Sequence, residues 1–183
     1  MQGVDDFDEF YARTSSRLVG QVFAMTGNLG EAEDAVQEAY IRAWQRWPRI
    51  RSYDDPEGWL RTVAYRISMN AWRKARNRLT AQHRATESVE LPGLSPDLLA
   101  LVSALRKIPE SQRRVIVLHH LVGLPVEQIA LETGTPAGTV KARLARGRRA
   151  LAPLVSEFDD DPRITPRTHI RQANPGRETP AHA

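Results

Sequence analysis

The chain has 183 residues, 41% of them hydrophobic and 26% charged, and its 26 Lys and Arg exceed its 22 Asp and Glu by only four, the make-up of an ordinary folded protein. With no cysteine, a disulfide framework, a thiolate zinc site and a redox switch are excluded. Apolar runs no longer than Val115-Ile116-Val117-Leu118 span no bilayer, and the start Met1-Gln2-Gly3-Val4-Asp5-Asp6 lacks the basic-then-apolar order of a secretory signal, so a cytoplasmic chain without membrane insertion is expected.

Helical periodicity dominates from the first residues. Phe7, Phe10, Tyr11, Leu18, Val22 and Met25 fall on one helix face, and Gly27 ends the run. A second helix opens at Asn28, whose side chain can cap it, with Glu31 three residues on. Its apolar stripe is Ala32, Ala35, Val36, Ala39, Tyr40, Ala43 and Trp47, with Trp44 nearby, and Pro48 is expected to stop it. Residues 1–58 hold 6 basic and 11 acidic side chains. The third long helix opens at Asp55-Pro56, a cap followed by proline in the first turn. Trp59, Leu60, Val63, Ala64, Ile67 and Ala71 form its buried stripe, and Arg61, Arg66, Arg73, Lys74, Arg76 and Arg78 crowd its polar side. Residues 59–85 hold 7 basic side chains and no acidic one.

Between Thr80 and Ser95 the periodicity fails, and Pro92, Gly93 and the polar residues around them read as a flexible linker. Helices resume at Ser95-Pro96 with Leu98, Leu99, Val102 and Leu105, then at Pro109-Glu110 through Val115, Leu118 and His119 to Leu121. Two short helices are expected after Gly123, in a second basic block of 7 against 2 over residues 113–155. From about Ser156 the chain is rich in proline and acid and poor in apolar residues, which reads as a disordered tail. The fold class is therefore all-α: two small helical domains, a flexible linker and a disordered C-terminal tail. Two basic segments in an otherwise acidic chain suggest two surfaces for a polyanion.

Residues 126–145 have helix-turn-helix spacing. Small Ala130 lets the second helix approach the first, Gly134 supplies the left-handed turn, and Ile129 and Val140 close the core beneath it. Thr135 is expected to cap the second helix, with Pro136 in its first position. That helix exposes Thr139, Lys141, Ala142, Arg143 and Arg146, with Arg149 beyond. Such a helix can enter the major groove, where arginine binds guanine edges through paired hydrogen bonds.

Two further stretches carry a family resemblance. The run Ala32-Glu33-Asp34-Ala35-Val36-Gln37-Glu38-Ala39-Tyr40-Ile41-Arg42-Ala43-Trp44 resembles the polymerase-docking helix of bacterial sigma factors. Ile108-Pro109-Glu110-Ser111-Gln112-Arg113-Arg114-Val115, followed by the helix-turn-helix with Gly138-Thr139-Val140-Lys141, resembles their promoter-binding C-terminal domain. With only two helical domains, the likeness is to the extracytoplasmic-function (ECF) type of the sigma-70 family, over about residues 5–155.

That resemblance implies a division of labour. Residues 5–79 would form the region 2 domain, 80–95 the linker threading the polymerase cleft, 96–155 the region 4 domain and 156–183 the tail. Asp34, Gln37, Glu38 and Arg42 would meet the clamp helices of the largest subunit of core RNA polymerase. The polymerase flap, promoter DNA and an anti-sigma factor are the other implied partners. The third helix would recognise the minus-ten element and separate strands through Arg66, Asn70, Trp72, Arg73, Lys74 and Arg76. Arg51 and Tyr53 lie in the preceding loop, which would hold a flipped promoter base. Trp59 reads as core, whereas Trp72 beside Arg73 and Lys74 suits stacking or phosphate contact about as well as a place in the core. Arg66 and Asn70 stand where many relatives have Asn and then Asp, so the minus-ten preference is left open. Thr139, Lys141, Arg143, Arg146 and Arg149 would read the minus-thirty-five element.

No catalytic site, metal or cofactor is expected. His119 and His120 point to different faces and lack metal-binding spacing, and Gly134 and Gly138 are not followed by the Gly-Lys-Ser/Thr of a phosphate loop. The leading reading is a non-catalytic initiation subunit, cytoplasmic and nucleoid-associated when active. The alternatives are a stand-alone helix-turn-helix regulator and a sigma-like decoy that binds a regulatory protein.

Overall fold

A computed structural model describes residues 2–79 and 96–159; the side chains of 2–5, 74–79, 96 and 156–159 are not among its described features. The expected linker and most of the expected tail lie outside the described residues. Within them the chain forms eight helices. Helix α1 covers Gln2–Thr26, α2 Leu29–Trp44, α3 Trp47–Ile50 and α4 Pro56–Leu79. The second unit holds α5 Pro96–Arg106, α6 Glu110–His120, α7 Val126–Thr133 and α8 Ala137–Asp159. No described helix is long and apolar enough to cross a membrane.

In the first unit α1, α2 and α4 pack against one another. Leu18, Val22, Ala32, Ala39, Ala43 and Leu60 are fully buried between them. The small residues of α2 bring backbones close, while the aromatic rings fill the open end. Phe7 meets Tyr40, Trp44 and Trp47 edge-on at 5.0–6.1 Å between ring centres, a favoured quadrupole geometry. Tyr40 is hydrogen-bonded to Thr14 at 2.6 Å, and Thr14 donates to the Phe10 carbonyl. Burial pushes the Tyr40 phenol above its ordinary value.

Local signals set most boundaries. Gly27 has φ +81° at the end of α1, the backbone region open to glycine. Asn28 then accepts from the Glu31 amide at 3.2 Å, and Asp55 accepts from the Gly58 amide at 2.8 Å. Pro48 does not end α2. That helix stops at Trp44, and Pro48 sits in the first turn of α3, where its missing N–H has no helical role to lose. Buried Trp47 and Ile50 make this short helix a plug against the core.

The second unit is built on α6, whose Val115, Ile116, Val117 and Leu118 are buried in a core to which α5, α7, α8 and α1 of the first unit all pack. Gly147 of α8 permits the closest approach: an added Cβ would lie 2.9 Å from Ile116 Cγ1. Gly147→Leu should therefore destabilise the protein by about 1–3 kcal/mol through overpacking, measured as a lower urea midpoint at unchanged slope. Helix α8 is not short, as the sequence suggests, but 23 residues long, with Pro153 inside it. Leu151 and Leu154 pack on the core, and this burial carries the helix past the hydrogen bond that Pro153 cannot make.

Candidate partner and nucleic-acid interfaces

Three surfaces carry the residues singled out by sequence. On α2, Asp34, Gln37 and Arg42 are exposed and Glu38 is partly so. Glu38 accepts from Arg42 Nε at 2.9 Å, with both side chains about half in water, so this pair orders the face more than it stabilises the helix. The face is not purely polar. Ile41 is 55% and Trp44 46% exposed. Periodicity contains the signal for Ile41: it lies two residues past Ala39, ~200° around the helix from the apolar stripe. An apolar patch beside acids suits a partner with apolar and basic groups better than it suits solvent.

On α4, Arg66, Asn70 and Arg73 are exposed and share one face by their spacing of four and three. Arg73 donates to the Asn70 side chain. Trp72, 45% exposed, belongs to another side of the helix. It continues the line of Arg61, Tyr65 and Ser68, at steps of four, three and four. Trp59 packs against the core. The side chains of Lys74 and Arg76 lie outside the described residues. In the loop before α4, Arg51 pairs with Asp6 at 3.2 Å and Tyr53 leans on the core. Arg51 and Ser52 face Asp6, Glu9, Arg13 and Trp47 across an open cleft of about 470 Å³.

Arg61 departs from the expectation of a basic residue on the polar side of α4. It is 2% exposed, and its guanidinium donates to both Glu132 oxygens at 2.8–3.2 Å. Tyr65 on the next turn donates to Glu110. These partners stand 71 and 45 positions away, and no local pattern in the sequence announces them.

On α8, the helix-turn-helix turn forms as expected. Gly134 has φ +62° in the left-handed region, and Ile129 and Val140 are completely buried. The Thr135 hydroxyl does not cap α8. It donates to the Thr133 carbonyl and accepts from Arg143 Nη1 at 3.3 Å, while the Pro136 carbonyl accepts from the Thr139 and Val140 amides. Thr135 sits one residue too early to reach the first-turn amides, because Pro136 takes the cap position. Thr139, Ala142, Arg143, Arg146 and Arg149 fall on one stripe, with Arg146 and Arg149 exposed and Thr139 and Arg143 partly covered. Lys141 is exposed but lies ~200° around from Thr139, so it suits phosphate contact more than base contact. His119 bonds to the Leu124 carbonyl at 2.9 Å, and His120 accepts from Arg148 Nε at 3.2 Å. Burial first, then the neighbouring His119 and Arg148, hold His120 below its ordinary value. No described group of His, Asp or Glu has the clustering of a metal site.

Comparison with known proteins agrees with this architecture. The sigma-70 region 2 family matches residues 10–78, and the sigma-70, region 4 family matches residues 98–151. The chain is 35% identical over 147 residues to a probable ECF RNA polymerase sigma factor, SigI, of Mycobacterium tuberculosis, covering 73% of this chain and 50% of SigI. It is 34% identical over 141 residues to the ECF RNA polymerase sigma factor SigL of the same species, covering 73% of this chain and 80% of SigL. The chain thus spans half the length of the first relative and most of the second. Among solved structures, the sigma factor RpoE in complex with the anti-sigma factor NepR, from Bartonella quintana, superposes with a TM-score of 0.71 at 23% identity, over 82% of this chain and 97% of that one. CnrH in complex with the cytosolic domain of CnrY superposes at 0.58, with 22% identity, over 82% and 88%. These two likenesses speak to the fold. With two sigma-70 regions in order and a relative of this identity covered over most of its length, the chain belongs to the ECF sigma factors of the sigma-70 family.

Proposed function

We propose that this chain is a non-catalytic specificity subunit that binds core RNA polymerase and directs initiation at promoters with defined minus-ten and minus-thirty-five elements. The observation that carries this reading is the separation of two kinds of surface on one chain. Helix α2 presents Asp34, Gln37 and Glu38 beside exposed Ile41 and Trp44, a docking face for protein. Helices α4 and α8 present Arg66, Asn70 and Arg73, and Thr139, Arg143, Arg146 and Arg149, which suit nucleic acid. A stand-alone DNA binder has no use for the first surface. The domain limits 5–79 and 96–155 follow from the same reading, as do a linker in the polymerase cleft and a nucleoid location when active. An apolar groove of about 330 Å³ between α5, α6 and α8, lined by Leu101, Ile116, Leu121 and Leu151, suits the apolar flap segment of polymerase. A protein inhibitor is a further partner on this reading, supported by the complex in which RpoE was solved.

The docking face is tested by Asp34→Lys with Glu38→Lys. Placing like charge against a basic partner should weaken binding to purified core polymerase on the order of tenfold or more, read by gel-filtration co-elution and titration, with helix content unchanged. Wild-type affinity in this variant would remove α2 from the polymerase contact.

A further inference from the structure

The apolar patch on α2 does not stop at the edge of that helix. Tyr11 of α1, 44% exposed, joins exposed Ile41 and Trp44. Contacts between rings fix how the two helices meet. Phe7 faces Trp44 with 5.0 Å between ring centres, and one turn further along α1, Tyr11 faces Tyr40 at 4.7 Å. The helices are therefore antiparallel at this seam, with Tyr11 one turn along it from Trp44. Around α2, Asp34 and Ile41 point nearly the same way, with Gln37 ~40° and Trp44 ~60° to one side. Tyr40 lies ~40° beyond Trp44 on that side. The Tyr11 ring, seated on Tyr40, thus borders the docking face of α2. Exposed Asp8 and Glu33 flank the seam and add to the acid of Asp34 and Glu38.

The seam holds its rings still. Tyr40 is buried, and its hydroxyl is bonded to Thr14 at 2.6 Å, so Tyr11 rests on a fixed surface. Phe7 is 8% exposed and meets Trp44, Trp47 and Tyr40 edge-on, which props Trp44 from beneath. Such ring pairs are favoured beyond the area they bury. A ring already ordered in the free chain loses little entropy when a partner covers it. Tyrosine and tryptophan in an apolar patch with a charged rim are the residue types that dominate protein interfaces. Nucleic acid fits this surface poorly, because its phosphates would meet Asp8, Glu33 and Asp34.

We propose that the surface binding core polymerase continues across the seam from α2 onto α1, with Tyr11 as a contact residue and Phe7 as the residue that positions Trp44. The inference deepens the initiation reading and rests on it. Its occupant is the same apolar and basic surface of core polymerase that α2 meets. The patch is continuous with that face and carries the same sign of charge.

The direct test places the photo-crosslinking residue p-benzoylphenylalanine at position 41, 11 or 13 of the full chain, mixed with purified core polymerase. Arg13 is exposed and lies ~160° around α1 from Tyr11. Expected results are crosslinks to core from 41 and 11 and none from 13. Affinity gives a second readout. Tyr11→Ala should weaken core binding on the order of tenfold, the scale of an interface anchor, and Tyr11→Phe should keep most of it. Tyr11→Lys, whose apolar stem still covers Tyr40, should also weaken binding by setting a cation against a basic partner. Phe7→Leu should weaken binding in the wild-type background and change nothing in Trp44→Ala, the coupling expected of a residue that acts through Trp44. A crosslink from 41 but not from 11, wild-type affinity in Tyr11→Ala and Tyr11→Lys, or crosslinks from 11 only to a second copy of this chain would overturn the extension onto α1. Equal losses from Phe7→Leu in both backgrounds would overturn its positioning role. Absence of crosslinks from 41 and 11 alike would remove the docking reading of α2, and the extension with it.

Discussion

Arg143→Glu with Arg146→Glu should abolish promoter-directed initiation while leaving the chain folded and bound to core polymerase. Both residues lie on the α8 stripe with Thr139 and Arg149, one to three turns beyond the Gly134 turn that aims the helix outward. A good paired arginine contact to a base is worth about 1–3 kcal/mol of discrimination. Losing two such contacts costs about 30-fold to more than 10,000-fold in promoter selection, before the repulsion of two new carboxylates by phosphates is added. Arg146 is exposed and Arg143 donates to the Thr135 hydroxyl at a long 3.3 Å, so the fold loses little. The check is run-off transcription beside core co-elution. Loss of both readouts together would mean a misfolded second unit. Retention of promoter choice would mean that α8 does not read DNA.

Leu118→Ala should cost about 2–5 kcal/mol, the largest stability effect of any single change considered. Leu118 is completely buried at the centre of α6, the helix that packs chiefly against α8 and also against α1, α7 and α5. Small domains have about 5–15 kcal/mol in total, so this one truncation removes a large share of the stability of the second unit. Leu118→Met, which keeps volume, should cost less than about 1.5 kcal/mol. Urea unfolding of the pair separates cavity formation from any special chemistry of the leucine. Equal midpoints for the two variants would show that α6 is not the packing centre.

Legibility in the sequence follows the range of the interaction. Asn28, Asp55 and Gly134 were readable because caps and left-handed turns act on the residues next to them. The α2 stripe was readable because its burial repeats every turn. Pro48 misled for the same local reason: a proline that could have ended α2 instead starts α3. The length of α8 was hidden because the apolar contacts of Leu151 and Leu154 outweigh Pro153. Arg61 was hidden most completely. On sequence it is one cation in a block of seven, and its main partner, Glu132, comes from the other unit, 71 positions away. The candidate DNA stripes were legible as groups, whereas the places of Lys141 and Trp72 off those stripes required the helical angle to be counted residue by residue.

The central claim, that this chain confers promoter specificity on core polymerase, is tested most directly by run-off transcription over a fragmented genomic library. Purified bacterial core polymerase is used with and without the full chain. The account predicts discrete transcript starts that appear only when the chain is added and share two upstream sequence elements. An identical transcript pattern with and without the chain, together with no co-elution with core, would contradict it and leave the helix-turn-helix as a stand-alone DNA binder.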